Sequence, residues 1–350
     1  MKLKPIKVLL TACGCPGAST LIRMLKENGE REVTIIGVDA DDQAIGRFLA
    51  DRFFRVPLAR SPDYIPHMLE LVEQVQPDVL LPESSTEVYP LAVHKEEFED
   101  RGTAVLVSDP EAIEIASNKY RMYEVLKQKT DLPLPQYHYP RNLDEFISAV
   151  EKLGYPERPV CFKPHVGKGS RGFRILDPHI DRKELLLNYK PNSRYMSLEE
   201  FVEIFKGDPE FPDFIVMEYL EGMEYTTDPL AIDGEMLLCT TKTVEAARWG
   251  VIVKGQLVNA PELVEQTKEI LKVIPLSYNV NIQFIGNRLI EINPRVSSFI
   301  YQDDLIAPYV AVKLALGEIT PDDVRRLQSR IAYGRRMVRY MDQVFWTPTA

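Results

Sequence analysis

Strand-like and helix-like segments alternate through the first hundred residues, and this alternation constrains the fold more than any other feature of the chain. Apolar, β-branched runs at residues 6–10, 33–38, 79–81 and 104–107 are separated by helical spacing at residues 19–28 and 64–74. Strands joined by helices through short connections predict a parallel sheet covered on both faces. The sequence therefore predicts an α/β fold, with a Rossmann-like parallel sheet at the N-terminus.

Small and polar residues follow the predicted strands. Residues 13–17 follow the first strand, Asp39 the second and residues 83–87 the third. Ligands of open parallel sheets bind beyond the carboxyl ends of the strands. Gly14 and Gly17 are present, but the third glycine of a dinucleotide fingerprint is missing. NAD binding, with Asp39 on the ribose, is thus a weaker alternative than a tight turn and a strand-end acid.

Composition excludes several classes of protein. A formal charge of −10, from 52 acidic and 42 basic residues, argues against a general nucleic-acid binder and a polybasic membrane anchor. No apolar run approaches the ~18–20 residues that span a bilayer, and the first residues lack a signal-peptide cleavage pattern. Four cysteines do not form a disulfide framework, which indicates a reducing setting. Cys13 and Cys15 suggest a metal or redox role, but a pair of cysteines without other soft ligands is more often structural. We expect a cytoplasmic protein without nucleic-acid or membrane partners.

A glycine-rich hairpin begins near residue 160, where the alternation of strands and helices gives way to two strands joined by a loop. Lys163 lies on the first predicted strand, and the loop contains Gly167, Lys168, Gly169, Ser170 and Gly172. Glycines let backbone N–H groups approach phosphate oxygens, and the cations offset the phosphate charge. The loop is not a Walker motif, because no Gly-Lys-Ser/Thr opens a helix. A flexible hairpin with surface lysines is the alternative. Residues 192–212 indicate a polar insert with a helix.

Within residues 214–222, a predicted strand runs into a short polar linker. The backbone groups of such a segment can meet an adenine edge, and Glu224 can accept ribose hydroxyls. The alternative is a strand with its turn.

Residues 280–294 alternate strictly between apolar and polar side chains. The apolar face contains Val280, Ile282, Phe284, Ile290 and Ile292, and the polar face contains Asn281, Gln283, Glu291 and Asn293. Gln283 can lie opposite Glu291 only if the hairpin axis passes through Asn287. This predicts an odd loop, most simply residues 286–288, with a bulge left open. Oxygen donors without His or Cys suit Mg²⁺ rather than Zn²⁺, and the alternative is a solvated polar face.

Several cations accompany this polar patch. Arg295 follows it directly, Lys242 and Arg248 precede it, and Lys119 opens a predicted helix. Each could be a surface charge, whereas together they match the needs of a triphosphate and a transferring phosphoryl group.

These motifs, in this order, resemble the ATP-grasp superfamily, and within it one synthetase half of the carbamoyl-phosphate synthase large chain. Residues 117–119, 162–164 with the loop to Gly172, 217–222 and above all 283–295 carry the resemblance. It implies a pre-ATP-grasp domain at 1–114, an ATP-grasp domain at 115–330 with a lid at 157–220, and a tail at 331–350.

The resemblance also implies roles for single residues. Lys119, Lys163 and Arg295 would contact phosphates, and the backbone of Met217, Glu218, Tyr219 and Leu220 would meet adenine, with Glu224 on the ribose. Gln283, Glu291 and Asn293 would hold two Mg²⁺ ions, with Mn²⁺ as a substitute. Arg295, Arg248 and Lys242 are the catalytic candidates.

The chain departs from the synthase in having one synthetase unit, no allosteric domain and a different sequence after Ser297. We therefore expect a carboxylate–amine ligase that uses ATP and Mg²⁺, with an acyl phosphate intermediate. Weak candidates for the substrate site are Cys13, Gly14, Glu83, Ser84, Ser297 and Ser298. A bicarbonate-activating carboxylase, a synthase subunit that needs a partner, and a non-catalytic nucleotide-binding regulator remain alternatives, and a homodimer is left open.

Overall fold

A parallel five-stranded sheet forms the N-terminal part of the protein. The computed structural model describes residues 3–167, 171–188, 194–248, 251–297 and 299–347. The N-terminal elements are β1 (Ile6–Leu10), α1 (Ala18–Lys26), β2 (Val33–Asp39), α2 (Gly46–Leu49), β3 (Arg52–Arg55), α3 (Tyr64–Val75), β4 (Val79–Leu81), α4 (Val88–Val93), α5 (Lys95–Glu99) and β5 (Ala104–Val105). The strand order is β3-β2-β1-β4-β5, and every pair in it is parallel.

This sheet confirms the predicted parallel α/β arrangement and adds one strand. β3, with the sequence Arg-Phe-Phe-Arg, was not expected, because its four residues have no clear alternation and lie at the sheet edge. The order places the ends of β1, β2 and β4 side by side. Loops that are distant in sequence therefore meet at one edge of the sheet.

Two helices and a mostly antiparallel sheet follow. Their elements are α6 (Pro110–Ser117), α7 (Lys119–Lys129), β6 (Tyr137–His138), α8 (Leu143–Lys152), β7 (Val160–Pro164), β8 (Arg174–Leu176), α9 (Arg182–Asn188), β9 (Tyr195–Met196), α10 (Leu198–Phe205) and β10 (Phe214–Glu218). β7 and β8 form the predicted antiparallel hairpin around the glycine-rich loop. The helix expected between residues 192 and 212 is α10, and its Phe201 is buried and stacks on Phe146 with ring centroids 3.9 Å apart. The insert is thus anchored by an aromatic core.

A third sheet carries the polar patch that the sequence predicts. The remaining elements are β11 (Glu224–Ile232), β12 (Glu235–Val244), β13 (Ala246–Arg248), β14 (Val251–Gln256), α11 (Pro261–Val273), β15 (Tyr278–Asn279), β16 (Asn281–Ile285), β17 (Arg288–Asn293), α12 (Ala307–Ala315), α13 (Pro321–Arg326), a 3₁₀ turn (Leu327–Arg330) and β18 (Arg336–Val338). The sheet order is β12-β11-β16-β17, and β13, β14 and β18 form a separate small sheet.

The C-terminal segment is attached to other parts of the protein. β18 pairs with β14, Trp346 packs on Phe48 with ring centroids 4.6 Å apart, and Arg339 donates a 2.9 Å hydrogen bond to the Pro16 carbonyl. The tail therefore links the small sheet to the loop after β1. Within the described parts of the chain, no helix has the length and apolar character needed to cross a bilayer.

Candidate active site

The β16–β17 hairpin holds the predicted polar patch in the predicted register. Gln283 pairs with Glu291 and Asn281 with Asn293, which confirms that these four side chains share one face. The loop differs from the prediction. It consists of Gly286 and Asn287 only, and the extra residue is a bulge on β17 between the Gln283–Glu291 and Phe284–Leu289 pairs.

This bulge changes the role of Ile290. Leu289 is 2% exposed and takes the core position that alternation assigned to Ile290, while Ile290 is only partly buried. A bulged residue is released from the ladder, so its carbonyl becomes available to side chains. Tyr123 Oη donates to the carbonyls of Ile290, at 2.9 Å, and Leu289, at 3.1 Å. Lys163 Nζ lies 3.4 Å from the Ile290 carbonyl oxygen. The bulge thus anchors a lysine of the predicted phosphate site.

Two lysines approach the patch from different elements. Lys119 begins α7, where Asn118 caps the helix, and its backbone N–H donates to the carbonyl of His165 at the base of the glycine-rich loop. Lys119 Nζ lies 3.4 Å from Glu291 Oε2 and 3.3 Å from the carbonyl oxygen of Gly167. Lys163 reaches the same patch from β7. The tertiary structure therefore brings the two predicted phosphate lysines together.

Electrostatics at this cluster follow from burial and proximity. Burial lowers the pKa of Lys163 to about 8, and repulsion from Lys119 acts in the same direction, against the attraction of Glu291. Burial opposes ionisation of Glu291, but Lys119 and Lys163 outweigh it and lower the pKa of this carboxyl. Burial raises the pKa of Glu224, and the charge of Glu291 adds to the shift. Glu291 is therefore an ionised acid held between two cations.

The amides beside Glu291 are joined in a hydrogen-bond chain. Asn293 Nδ2 donates to Glu291 Oε1 at 3.2 Å, and Gln283 Nε2 donates to Asn281 Oδ1 at 3.3 Å. No cluster of three His, Cys, Asp or Glu side chains with metal-holding geometry occurs in the described residues. A divalent ion here would thus need the oxygens of Gln283, Glu291 and Asn293, and hard oxygen donors fit Mg²⁺.

Arg295 joins this patch to the first sheet. Its Nε donates to Ser85 Oγ at 2.9 Å, and its Nη1 donates to the carbonyl of Val296. Burial lowers its pKa, against the opposing attraction of Cys15, Glu83 and Glu291. Ser85 lies within residues 83–87, the segment that the sequence places at the ligand edge of the sheet, although nothing in the sequence distinguishes it from its neighbours.

Glu83 is the most unusual acid at this edge. It is 7% exposed, and within the described chain its Oε2 has no hydrogen-bond partner. Burial raises its pKa to about 8, although Arg295 and Arg339 oppose the shift. A Cβ on Gly17 would lie 2.3 Å from Glu83 Oε1, so residue 17 must lack a side chain to leave this carboxylate in place.

A pocket of about 500 Å³ opens beside these residues at the carboxyl edge of the sheet. Gly14, Cys15 and Ser84 line it, together with Asp39 and Glu87. The Asp39 carboxylate accepts a 2.8 Å hydrogen bond from the Gly14 N–H. Cys13, by contrast, is fully buried against Gly37 and Gly46, and burial raises the pKa of its thiol. Cys13 thus has a packing role, as its structural interpretation requires.

The strand predicted to meet adenine lies at the other side of the cluster. Met217 is buried within β10, and the backbone N–H of Glu218 donates to the carbonyl of Gln136. The Glu218 side chain is paired with Arg288 at 2.9 Å. Tyr219 and Leu220 follow the end of the strand and are partly buried. These two residues are the better placed for a base edge.

Two predicted catalytic cations lie apart from the patch surface. Lys242 is fully buried and ion-paired with Asp228, so its ammonium does not face solvent. Arg248 is exposed at the end of β13. Ser297 is partly buried, and Gly172 has φ +75° at the end of the glycine-rich loop. Lys168, Gly169, Ser170 and Ser298 lie outside the described residues.

The Rossmann-like sheet is followed by a mostly antiparallel sheet and by an antiparallel sheet that contains the acid–amide patch, with Lys119 and Lys163 beside it. This arrangement is that of an ATP-grasp fold. Family models agree. Residues 8–106 match "PylC-like, N-terminal domain", and residues 210–336 match "ATP-grasp in the biosynthetic pathway with Ter operon". The match to the ATP-grasp model thus falls on the part of the chain that contains the acid–amide patch.

Several curated proteins are similar to parts of the chain. It is 26% identical over 202 residues to a formate-dependent phosphoribosylglycinamide formyltransferase of Ignicoccus hospitalis, covering 57% of this chain and 46% of the relative. It is 24% identical over 279 residues to the carbamoyl phosphate synthase large chain of Clostridium acetobutylicum, covering 75% and 24%. The chain therefore spans less than half the length of these curated relatives.

A solved structure has the same fold. The biotin carboxylase domain of Hydrogenobacter thermophilus 2-oxoglutarate carboxylase, crystallised as a dimer with MgADP, ADP and bicarbonate, superposes with a TM-score of 0.60 and 20% identity, covering 89% of this chain and 69% of that one. At this identity the likeness shows the fold alone.

Proposed function

We propose that this protein is a Mg²⁺-dependent ligase that uses ATP to activate a carboxylate as an acyl phosphate and then joins it to an amine. One observation carries the proposal. Lys119, Lys163 and Glu291 converge from three different elements on one acid–amide patch, next to the edge of the first sheet. This is the charge pattern that phosphoryl transfer requires.

The residues of this chain would divide the work of binding ATP. Lys163 and Lys119 hold phosphate oxygens, Arg295 steadies the transferring phosphoryl group, and the loop from Gly167 to Gly172 covers it and excludes water. Gln283, Glu291 and Asn293 would hold two Mg²⁺ ions, with Mn²⁺ as a substitute. When bound, the metal neutralises the terminal phosphate oxygens.

The chemistry then needs no protein nucleophile. A carboxylate oxygen attacks the γ-phosphorus, and ADP leaves. The amine attacks the carbonyl carbon of the acyl phosphate, inorganic phosphate leaves, and a proton passes from the amine to a base. Correct placement of the two reactants accounts for much of the acceleration in such a reaction.

The substrates would bind between the first sheet and Arg295. The pocket lined by Gly14, Cys15 and Ser84 lies at the carboxyl edge of that sheet, and Arg295 reaches the same edge through its hydrogen bond to Ser85. Ser297 and Ser298 remain candidates because they follow Arg295 closely in the chain. Glu83, with a pKa of about 8 and a free oxygen among the described residues, is suited to accept the proton of the amine. Cys13 supports this loop by packing.

The domain boundaries at residues 114 and 330, and the lid at 157–220, remain part of this proposal, as does a homodimer. Lys242 is assigned a different role below, and the phosphoryl contact of Arg248 stays a prediction.

The decisive experiment measures ADP release against pools of carboxylates, each tested with and without pools of amines. We expect release that needs one carboxylate, one amine and Mg²⁺. Glu291→Gln should lower this turnover by at least about a hundredfold, since the ionised donor between the lysines is lost. Glu235→Gln, an exposed surface change, is the matched control. Undiminished activity of Glu291→Gln would refute the proposal.

Other outcomes separate the alternatives. Turnover with bicarbonate alone would indicate a bicarbonate-activating enzyme, as in the structural relative that holds bicarbonate. Tight ATP binding without turnover in any pool would indicate a non-catalytic regulator.

A further inference from the structure

We propose that the buried pair Asp228–Lys242 orients the amides of the metal patch, so that both residues act as positioning residues for the divalent ion. This inference rests on the proposed function, because it concerns the same site. It gives a role to Asp228, which carries no motif, and a new role to Lys242.

The pair lies beneath the patch and away from solvent. The side chains of Lys242 and Asp228 are 0% and 1% exposed, and they form an ion pair. The ring centroid of Phe299 lies 5.7 Å from Lys242 Nζ. Asp228 Oδ1 accepts a 2.9 Å hydrogen bond from Asn281 Nδ2. The pair therefore reaches the patch through one neutral residue, Asn281.

An acceptor-only group at Asp228 fixes the direction of every amide above it. An ionised carboxylate offers no donor, so Asn281 must present its NH₂ to Asp228 and its oxygen to the other side. That oxygen accepts from Gln283 Nε2 at 3.3 Å and from Asn293 Nδ2 at 3.5 Å. Since both NH₂ groups are used in this way, the oxygens of Gln283 and Asn293 lie on the opposite branches of their amides, where a cation can be bound.

Lys242 stabilises the ionised form of Asp228 on which this orientation of the amides depends. An ionised Asp228 without a partner would be costly to bury, and Lys242 supplies the compensating charge. Buried ion pairs can specify a single arrangement at little net gain in stability. The geometry predicts that loss of the pair weakens Mg²⁺ binding and leaves metal-free nucleotide binding intact.

The main variant replaces both charges together, Asp228→Leu with Lys242→Met, so that no charge is buried alone. Mg²⁺ is titrated into full-length protein saturated with a non-hydrolysable ATP analogue, and the affinity for the analogue is measured separately in EDTA. We expect the Mg²⁺ dissociation constant to rise about 10–100-fold, the range for lost outer-shell partners, with unchanged affinity in EDTA.

Three further variants make the result specific. Asn281→Leu carries no charge change and should raise the Mg²⁺ constant in the same way. The exchange Asp228→Asn with Asn281→Asp keeps an acceptor-only group facing Gln283 and Asn293, and should retain most of the Mg²⁺ affinity. Arg31→Met with Glu318→Leu removes an ion pair between a buried guanidinium and a partly exposed carboxylate, on elements other than those of the patch, and should leave the Mg²⁺ constant unchanged.

The outcomes are separable. If the wild-type protein binds no Mg²⁺–nucleotide complex, the proposed function and this inference both fail. If it binds, and folded Asp228→Leu/Lys242→Met or Asn281→Leu protein shows an unchanged Mg²⁺ constant, only the inference fails. Equal weakening of metal-free nucleotide binding would indicate a purely structural role and would also overturn it. Thermal melting identifies variants that fold, and Asn281→Leu decides the question if the double variant does not.

Discussion

Lys163 is the residue whose charge responds most directly to a bound nucleotide. Burial and Lys119 lower its pKa to about 8, so the free protein holds it partly neutral at that pH. Phosphate oxygens would favour the charged form and raise the pKa. We expect ATP binding at pH 8 to take up roughly half a proton, and affinity to fall as pH rises above 8.

Calorimetry in buffers of different ionisation enthalpy measures this uptake. Lys163→Arg is the control, because a guanidinium stays charged and should bind ATP without proton uptake from this position. Equal uptake by the wild-type protein and Lys163→Arg would contradict the assignment of the proton to Lys163.

Gly17 is required by a neighbouring acid rather than by a phosphate. A Cβ at this position would lie 2.3 Å from Glu83 Oε1, and α1 begins at the next residue. Gly17→Ala should displace Glu83 and lower kcat/KM for the amine, as Glu83→Gln should, without changing the affinity for ATP. Steady-state kinetics with the amine and ATP varied in turn test this. A raised KM for ATP with an unchanged kcat/KM for the amine would show that the loop serves the nucleotide instead.

At the scale of elements, the bulge in β17 decides how the hairpin is used. Ile290 has no partner in the β16–β17 register, and Tyr123 Oη donates to its carbonyl and to that of the neighbouring Leu289. Tyr123→Phe leaves these buried carbonyls without that donor and should lower the free energy of unfolding by about 1–2 kcal/mol.

Urea denaturation measures the loss, with Tyr89→Phe as the control, because Tyr89 is exposed. The Mg²⁺-dependent turnover of Tyr123→Phe should also fall, since the bulge places Lys163. If Tyr123→Phe has the stability and turnover of the wild-type protein, the bulge of β17 does not depend on the hydrogen bonds from Tyr123 in α7.

At the scale of the whole molecule, the C-terminal tail lies close to the site on the first sheet. Arg339 bonds to the Pro16 carbonyl and is one of two cations that lower the pKa of Glu83 against its burial. Arg339→Met should therefore raise the pKa of Glu83. If ionised Glu83 accepts the amine proton, the rise of amide formation with pH should move to higher pH.

The pH profile of amide formation checks this expectation. Arg336→Met is the matched control, because Arg336 begins β18, which Arg339 directly follows, and pairs with Glu245 at 2.7 Å on the surface. If the pH profile shifts equally in both variants, or in neither, Arg339 does not influence amide formation through Glu83.

The sequence by itself determined the local patterns. Alternation fixed which side chains of residues 280–294 share a face, because side chains of a strand point to opposite sides in turn. The strand–helix alternation determined the parallel sheet for the same kind of local reason. Alternation assigned Ile290 to the apolar face, and this assignment was wrong. The bulge that displaces Ile290 depends on contacts of its carbonyl with Tyr123 and Lys163, which are distant in sequence.

Only the tertiary structure decided which distant residues meet. Lys119 and Glu291, separated by more than 170 positions in the chain, lie 3.4 Å apart because helix α7 and strand β17 pack together. Packing likewise buried Lys242 on Asp228, left Arg248 exposed and carried Arg339 to the first sheet. The local sequence pattern predicts which face of a strand or helix a side chain is on. The burial of that side chain and the charges near it depend on contacts with residues that are distant in sequence. These contacts set the pKa values and the placement of the site residues.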